Sequence, residues 1–412
     1  MAEPAQSILI DKDLRPAYYD DFHCIMGACQ FNCCDDGWKI YFNKQDYLKV
    51  KRAPKSPEME KLTRKCMRRL RERAHDNFYA EFHNSDSGRC AFHTPEGLCR
   101  LQLECGEKTL PQVCRRFPRA EANMPSGYQE RSLSPGCEGV LALLWDLPEG
   151  IEFRSDPLPK ERSGMLPLNE SSLPQRFSVV REWCIDLLQN RRFTLPQRIF
   201  LMGIGLKALA EHGEDIDHWL EQAAALPDSV DITNILPTGE SEMTMYMSHC
   251  IQTLMNISAL DYRGVPVSKE VLKELGMEYA TGTTSISFTI PLDSYQEAEA
   301  RYEERFAGRE YFMENLMVTV FFLLNMPYIY TASKEDLWKG YVNFCNIYAI
   351  YRFLSVISCR EGASGDRDEL FRLIVFYSRQ MLHSDQRQTI LRDKFFKNDS
   401  ATLAHMAILL CG

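Results

Sequence analysis

The sequence predicts a mainly α protein: a Cys-rich, loop-dominated metal-binding module at the N-terminus, followed by an all-helical body with little strand. Three observations predict it. Ten of the fifteen cysteines fall before residue 138, where uniform scatter would place about five. The stretch that carries them is punctuated by Gly and Pro and has little periodicity. Beyond residue 175, apolar residues recur at helical spacing nearly to the C-terminus. The expected divisions are therefore residues 1–147 for the thiol module, 148–175 for a linker holding Pro148, Pro157, Pro159, Pro167 and Pro174, and 176–412 for the body.

The composition bounds the function. At 412 residues, 45% hydrophobic and 25% charged, the chain is ordinary globular material that can bury a large core. Its net charge of −9 is unevenly divided: residues 1–140 carry 22 Lys/Arg against 20 Asp/Glu, and the remainder 26 against 37. An acidic body argues against nucleic acid as the main partner. No span reaches the roughly 20 apolar residues of a membrane helix; the nearest, Leu316 to Leu324, is ended by Asn325 and Pro327, so no membrane partner is expected. Met1-Ala-Glu-Pro-Ala-Gln-Ser lacks the basic and apolar regions of a secretory signal. A cytoplasmic, reducing location is expected, where clustered thiols hold metal or do redox chemistry more often than they form disulfides.

Taken in order, Cys24, Cys29, Cys33 and Cys34 crowd into eleven residues ahead of Trp38. A short strand around Trp38-Lys-Ile-Tyr-Phe follows, with Asn43 or Asp46 opening a helix. Residues 57–82 read as one basic helix, with Leu62, Cys66 and Leu70 facing inward at four-residue steps. Its cations form a solvated face in preference to a docking surface. The second thiol block, with Cys90, Cys99, Cys105, Cys114 and Cys137, has the look of loops that bury little apolar surface, which a bound metal centre would have to fix. A helix leaves the region between Cys137 and Trp145. In the body, helices are expected at 177–188, from Pro196 to Gly213, and at 243–257, 293–306, 310–324, 335–357, 366–382 and 400–410. A brief period-two segment at Ile286–Ile290 is the only strand signal there.

Thiolates bind zinc or iron. Zinc sites favour paired C-x2-C knuckles, which this chain lacks. The longer spacings Cys24-x4-Cys29-x3-Cys33-Cys34 and Cys90-x8-Cys99 favour an iron–sulfur cluster, whose ligands surround a larger inorganic core. The third cysteine of a C-x3-C-x2-C radical motif is missing, since it stands at 34 and not 36. Gly203-Ile-Gly205 lacks the third glycine of a dinucleotide loop and reads as helix packing. His83 and His93 lie near the second block and read as surface histidines. Cys184, Cys250, Cys345, Cys359 and Cys411 are single and read as small buried hydrophobes.

Together the first 145 residues resemble the flagellin lysine N-methylase family of flagellated bacteria. The resemblance is carried by Cys24-x4-Cys29-x3-Cys33-Cys34 with Trp38-Lys-Ile, Cys90-x-Phe, Gly97-Leu-Cys99, Gly106-Glu107, Cys114-x2-Phe117-Pro118-Arg119 and Leu133-Ser-Pro-Gly-Cys137. Leu187-Leu-Gln-Asn-Arg and Glu314-Asn315 extend it more loosely into the body. The chain departs from the pattern in the spacing of Cys34 to Trp38 and in carrying Cys105, which is therefore a poor ligand. The resemblance implies an enzyme that transfers methyl from S-adenosylmethionine to ε-amino groups of flagellin lysines and carries an iron–sulfur cluster, of the 4Fe-4S type. The thiols matched are Cys24, Cys29, Cys33, Cys34, Cys90, Cys99, Cys114 and Cys137, more than one cluster needs, with Cys29, Cys33, Cys34 and Cys114 ranked first. Glu314, Asp336 and Tyr341 are candidate bases, and none is assigned as catalytic. The alternative is a non-enzymatic iron- or zinc-binding module whose helical body binds a protein partner.

Overall fold

The computed structural model describes residues 7–34, 40–54, 56–70, 78–83, 89–167, 176–212, 215–232, 236–237, 239–260, 292–328, 334–383 and 385–412. The strand expected at Ile286–Ile290 and Trp38 lie outside these. In chain order the described strands are β1 (Ser7–Ile10), β2 (Lys12–Pro16), β3 (Tyr41–Phe42), β4 (Met67–Arg69), β5 (Ala80–Phe82), β6 (Arg119–Asn123), β7 (Tyr128–Leu133), β8 (Phe153–Pro157) and β9 (Gly164–Pro167). The first helices are α1 (Lys44–Arg52), α2 (Pro57–Cys66), α3 (Arg100–Cys105), α4 (Gln112–Arg116) and α5 (Glu138–Trp145). Next come α6 (Phe177–Leu188), α7 (Leu195–His212), α8 (Ile216–Ser229), α9 (Glu240–Leu260) and α10 (Leu292–Arg305). The last are α11 (Tyr311–Leu323), α12 (Lys334–Ile357), α13 (Arg367–Met381), α14 (Asp385–Lys397) and α15 (Leu403–Leu409).

The mainly α class holds, and the chain divides into two compact units. The body comprises residues 1–21, 121–136 and 141–412; the thiol unit comprises 22–120 and 137–140. This differs from the expected split at 148–175. The N-terminal strand β2 is a strand of the body's own sheet, parallel to β7 and antiparallel to β8, in the order β6-β7-β2-β8. A parallel pair cannot be closed by a hairpin and needs a long connection. Here that connection is the thiol unit, which is thus an insertion in the body. The supposed linker contributes β8 and β9, the latter pairing with β1. Pro157 and Pro167 end their strands, where a missing N–H is tolerated. Inside the sheet the buried Asp13 is held by Arg15 and Arg131, the pairing a buried carboxylate requires.

The body is organised on α12, which is apolar on nearly every side and therefore takes the centre. It packs against α7, α9, α10, α11, α13, α14 and α15. Most helices fall where spacing puts them; α8 and α14 are additions. Asp215 caps α8 by accepting from the N–H groups of Asp217 and His218, a signal legible in the sequence. Gly203 and Gly205 do serve packing: a Cβ would lie 2.2 Å from the Tyr341 ring at 203 and 2.5 Å from Trp183 at 205. No helix among the described residues is long and apolar enough to cross a membrane.

Where α9 meets α12, the imidazole of His249 shares a 2.7 Å hydrogen bond with Asn346 Oδ1 and lies tilted against Phe395, ring centroids 5.1 Å apart. Burial, aided by the charge of Lys394 and opposed by the Asn346 bond, pushes its pKa down from 6.5 to about 4. The folded state therefore refuses a proton that the unfolded chain accepts below pH 6.5. The stabilisation is present above that value and is lost as pH falls toward 4. Between pH 7 and pH 5 the loss from this group is about 2 kcal/mol. Urea denaturation at the two pH values should show that much less acid sensitivity in His249→Gln than in the parent.

The thiol unit has a core of its own. Phe42, Val50, Met59, Cys66, Ala80, Phe82, Phe92, Leu101 and Leu110 form one buried cluster, beside the sheet β3-β5-β4. This corrects the expectation that nothing apolar fixes the loops. Asn43 caps α1 by accepting from Asp46 N, as expected. The basic run is not one helix: α2 stops at Cys66, and Met67–Arg69 becomes the edge strand β4, antiparallel to β5. Leu62 and Cys66 face the core as the helical spacing requires. Past Cys66 the same residues satisfy a strand, because β5 offers its ladder and His83 N bonds to Cys66 O. The cations Arg68 and Arg69 are exposed, as on a solvated face.

Candidate functional site

All ten thiols of the first third lie in the thiol unit, including Cys137, which returns to it from the body's strand β7. The first loop, residues 22–34, is stitched to the second, residues 89–99, by short-range bonds. Asn32 Nδ2 donates to Gly97 O at 2.8 Å, while Asn32 Oδ1 accepts from Cys34 N at 2.9 Å. Cys90 N donates to Cys34 O at 2.8 Å. Gly27 allows the close approach, since a Cβ there would stand 2.8 Å from Glu96 O. Gly97, at φ +77°, closes the tight turn in which Thr94 and Leu98 pair, a conformation that favours glycine. The buried Phe92 anchors this turn against Phe82.

Glu138, at the start of α5, ties Cys137's segment to the first loop: its carboxylate accepts from Cys29 Sγ at 3.2 Å and Phe31 N at 2.9 Å. Neither Asn32 nor Glu138 was foreseen as part of the site. Their sole signal in the sequence is adjacency to a candidate cysteine.

The thiols of the two loops act on one another. Cys34 shares hydrogen bonds with Cys33 and Cys90, which together with burial raise it, and Cys90 is lowered by accepting from Cys34. Cys99 is raised chiefly by burial and further by the charges of Cys90 and Cys33, against the N–H groups of Gln102 and Leu101 at the start of α3. Cys114, half-buried like Cys90 and Cys99, is raised by burial, then by Cys90, Cys99 and Cys33. Cys137 is pushed up to about 11 by burial, with Cys33 and Cys24 adding to it. The structure thus brings Cys34, Cys99 and Cys114 within electrostatic reach of Cys33 and Cys90, and Cys137 within reach of Cys33 and Cys24. Cys29 turns its sulfur to Glu138.

No disulfide joins these thiols, and among the described residues no three His, Cys, Asp or Glu side chains converge as a single-ion site. The metal-binding character expected of this module is therefore not displayed as a closed mononuclear centre.

Cys66 is in the apolar core, raised by burial and then by Cys90, and Cys105 packs beside that core as Cys90, Cys99 and Cys114 do. His83 is exposed, and His93 bridges to Cys99 through the backbone. Cys184, Cys250, Cys345 and Cys359 are buried in the body, as small hydrophobes are. Of the candidate bases, Glu314 is an ion partner: it accepts from Arg198 Nη1 at 2.6 Å and Arg191 Nη2 at 2.9 Å. Asp336 stands 3.7 Å from Lys339, and the Tyr341 ring is pressed on Gly203.

Comparison with known proteins bears on the family of the chain. The chain is 25% identical over 189 residues to the lysine-N-methylase of Salmonella choleraesuis (strain SC-B67), covering 46% of this chain and 45% of the relative. The lysine-N-methylase of Salmonella typhimurium (strain LT2) matches to the same extent. A flagellar biosynthetic protein FliU of Salmonella muenchen is 28% identical over 138 residues, 33% of this chain and 79% of that protein. The chain spans less than half the length of the two methylases it matches. No solved structure matches it. The family model of the FliB lysine N-methylase C-terminal domain matches residues 181–409, more than half of the sequence and nearly all of the body's helices, and the chain accordingly belongs to the FliB lysine N-methylase family.

Proposed function

We propose that the protein is a cytoplasmic protein-lysine N-methyltransferase that moves methyl from S-adenosylmethionine to ε-amino groups of flagellin lysines, and that its thiol unit holds an iron–sulfur cluster. The family match over residues 181–409 carries the reading. The names of the relatives, lysine-N-methylase and flagellar biosynthetic protein, support the reaction and the substrate. The acidic body suits a lysine-bearing partner surface.

A lysine amine must lose its proton before attacking a sulfonium methyl. From a pKa near 10.4 that costs about 4 to 5 kcal/mol at pH 7, which a desolvating pocket with a nearby acceptor offsets. Glu314, already committed to two arginines, is a poor acceptor for that proton.

The donor set fits a cluster. Cys33, Cys34, Cys90, Cys99 and Cys114 are soft ligands, and Cys33 and Cys90 oppose the ionisation of Cys34, Cys99 and Cys114, a conflict that a bound cationic centre relieves. Ligands around a polynuclear core need not converge on one point as those of a lone ion do. Bound there, a cluster would clamp the two loops and supply one-electron chemistry. The test is incubation of anaerobically purified, metal-replete protein with S-adenosylmethionine and flagellin, followed by mass spectrometry of flagellin peptides. Methylated lysines support the proposal; none, with metal intact, leaves the non-enzymatic partner-binding module as the better reading.

A further inference from the structure

The first loop carries Cys24, Cys29, Cys33 and Cys34, and the structure holds the last three of them in two different ways. Cys33 and Cys34 belong with the second loop. Cys34 shares hydrogen bonds with Cys33 and Cys90, its carbonyl accepts from Cys90 N at 2.8 Å, and Cys33 acts on Cys99 and Cys114. Cys29 is turned elsewhere. Its Sγ donates to Glu138 Oε2 at 3.2 Å, and the same oxygen accepts from Phe31 N at 2.9 Å. One carboxylate oxygen thus closes a ring over residues 29–31. The turn is fixed just before Asn32 makes its own bonds to Gly97 O and Cys34 N, so every hold on Cys33 and Cys34 from the upstream side passes through Glu138 or Asn32. A metal ligand turns a thiolate to the ion. Cys29 turns its S–H to an anion.

We infer that Cys29 is not a ligand of the cluster but half of a latch, in which Glu138 grips Cys29 and Phe31 and so sets Cys33 and Cys34 against the second loop. The inference rests on the cluster reading above and departs from the ranking of Cys29 among the first four ligands. Glu138 is then a positioning residue, acting on the metal through the loop, as outer partners of metal sites commonly do.

The test uses the full chain purified anaerobically. Iron is titrated away with bathophenanthroline disulfonate, and the visible spectrum and the electron paramagnetic resonance of the dithionite-reduced protein are recorded before each titration. Cys29→Ser is expected to keep the iron content and both spectra of the parent, because its hydroxyl still donates to Glu138 and no ligand is exchanged. Glu138→Ala is expected to release half its iron at about tenfold less chelator, the range for losing an outer partner of a metal site. Glu138→Gln, whose amide oxygen can accept both bonds, is expected to hold iron as the parent does. Iron lost from Cys29→Ser, or a shifted spectrum in that variant, makes Cys29 a ligand and overturns the inference. Iron held as tightly by Glu138→Ala as by the parent overturns it too. Should Glu138→Ala fail to fold, by circular dichroism, the Cys29→Ser and Glu138→Gln results decide alone. A parent that binds no iron overturns the cluster reading itself, and this inference with it, an outcome distinct from the others because it appears before any residue is changed.

Discussion

Serine at both Cys90 and Cys114 is expected to strip iron from anaerobically purified protein to background, with loss of the broad visible absorbance of sulfur-to-iron charge transfer. Serine at Cys105, or at Cys345 in the body, is expected to leave both unchanged. Cys90 is the point where the second loop meets the first, through its N–H on Cys34 O and its sulfur on the Cys34 thiol. Cys114 is brought by α4 from a third segment of the chain and feels Cys90, Cys99 and Cys33 at once. Removing the pair takes soft donors from two different segments, and hydroxyls do not replace thiolates toward iron. Cys105 is the control because it packs against the same apolar cluster without appearing among the thiols that act on Cys99 or Cys114. Iron retained by the double variant, or lost equally from Cys105→Ser, would defeat the assignment.

The same experiment separates a folding role from a chemical one. Cys90 and Cys114 pack against the buried cluster from Phe42 to Leu110 without being among its nine residues, so the unit is expected to keep most of its apolar core without metal. Limited proteolysis of the iron-free variant should open the loops at 22–34 and 89–99 first and spare α1 and α2. Had the loops lacked a core, as the sequence alone suggested, loss of metal would unfold the whole unit, as in small metal-dependent domains.

The difference between these expectations shows where the sequence is legible. Long helices such as α12 and α13 are readable because apolar spacing is a local property and dozens of residues repeat it. The crowding of thiols is readable for the same reason. The core of the thiol unit is not, because Phe42, Phe82, Phe92 and Leu101 come from separate short segments that meet only in three dimensions. Nor is the insertion of that unit into the body: β2 is five residues long, and its partner β7 lies more than a hundred residues on, a pairing no local pattern encodes. Residues 57–82 fail for a third reason. Leu62, Cys66 and Leu70 suit a helix, yet Met67–Arg69 suit a strand edge equally well, and the tertiary ladder decides.

Replacing Glu314 with Ala is expected to destabilise the body by about 3 to 5 kcal/mol, the range for removing one partner of a buried ion pair. In a domain of this size that lowers the melting temperature by about 10 °C. Glu314 is 2% exposed and holds two guanidinium groups. Arg198, nearly as buried, also donates to Leu188 O at 2.6 Å and Phe193 O at 2.8 Å, so it cannot follow a lost carboxylate into water. Next to it, Asn315 Nδ2 donates to Leu144 O and Leu147 O, and Gln189 bonds the backbone of Ile151 through both ends of its amide. The residues that carried the looser family resemblance in the body, Leu187 to Arg191 and Glu314-Asn315, are thus one network fastening α11 to the end of α6 and to the turn after α5. Arg191→Ala should cost much less, on the order of 0.2 to 1 kcal/mol, because that side chain is 43% exposed and screened, and Arg198 still pairs the carboxylate. The contrast between the two variants in thermal denaturation is the decisive measurement: a catalytic base would show the opposite pattern, with methyl transfer lost in Glu314→Ala and the melting temperature held.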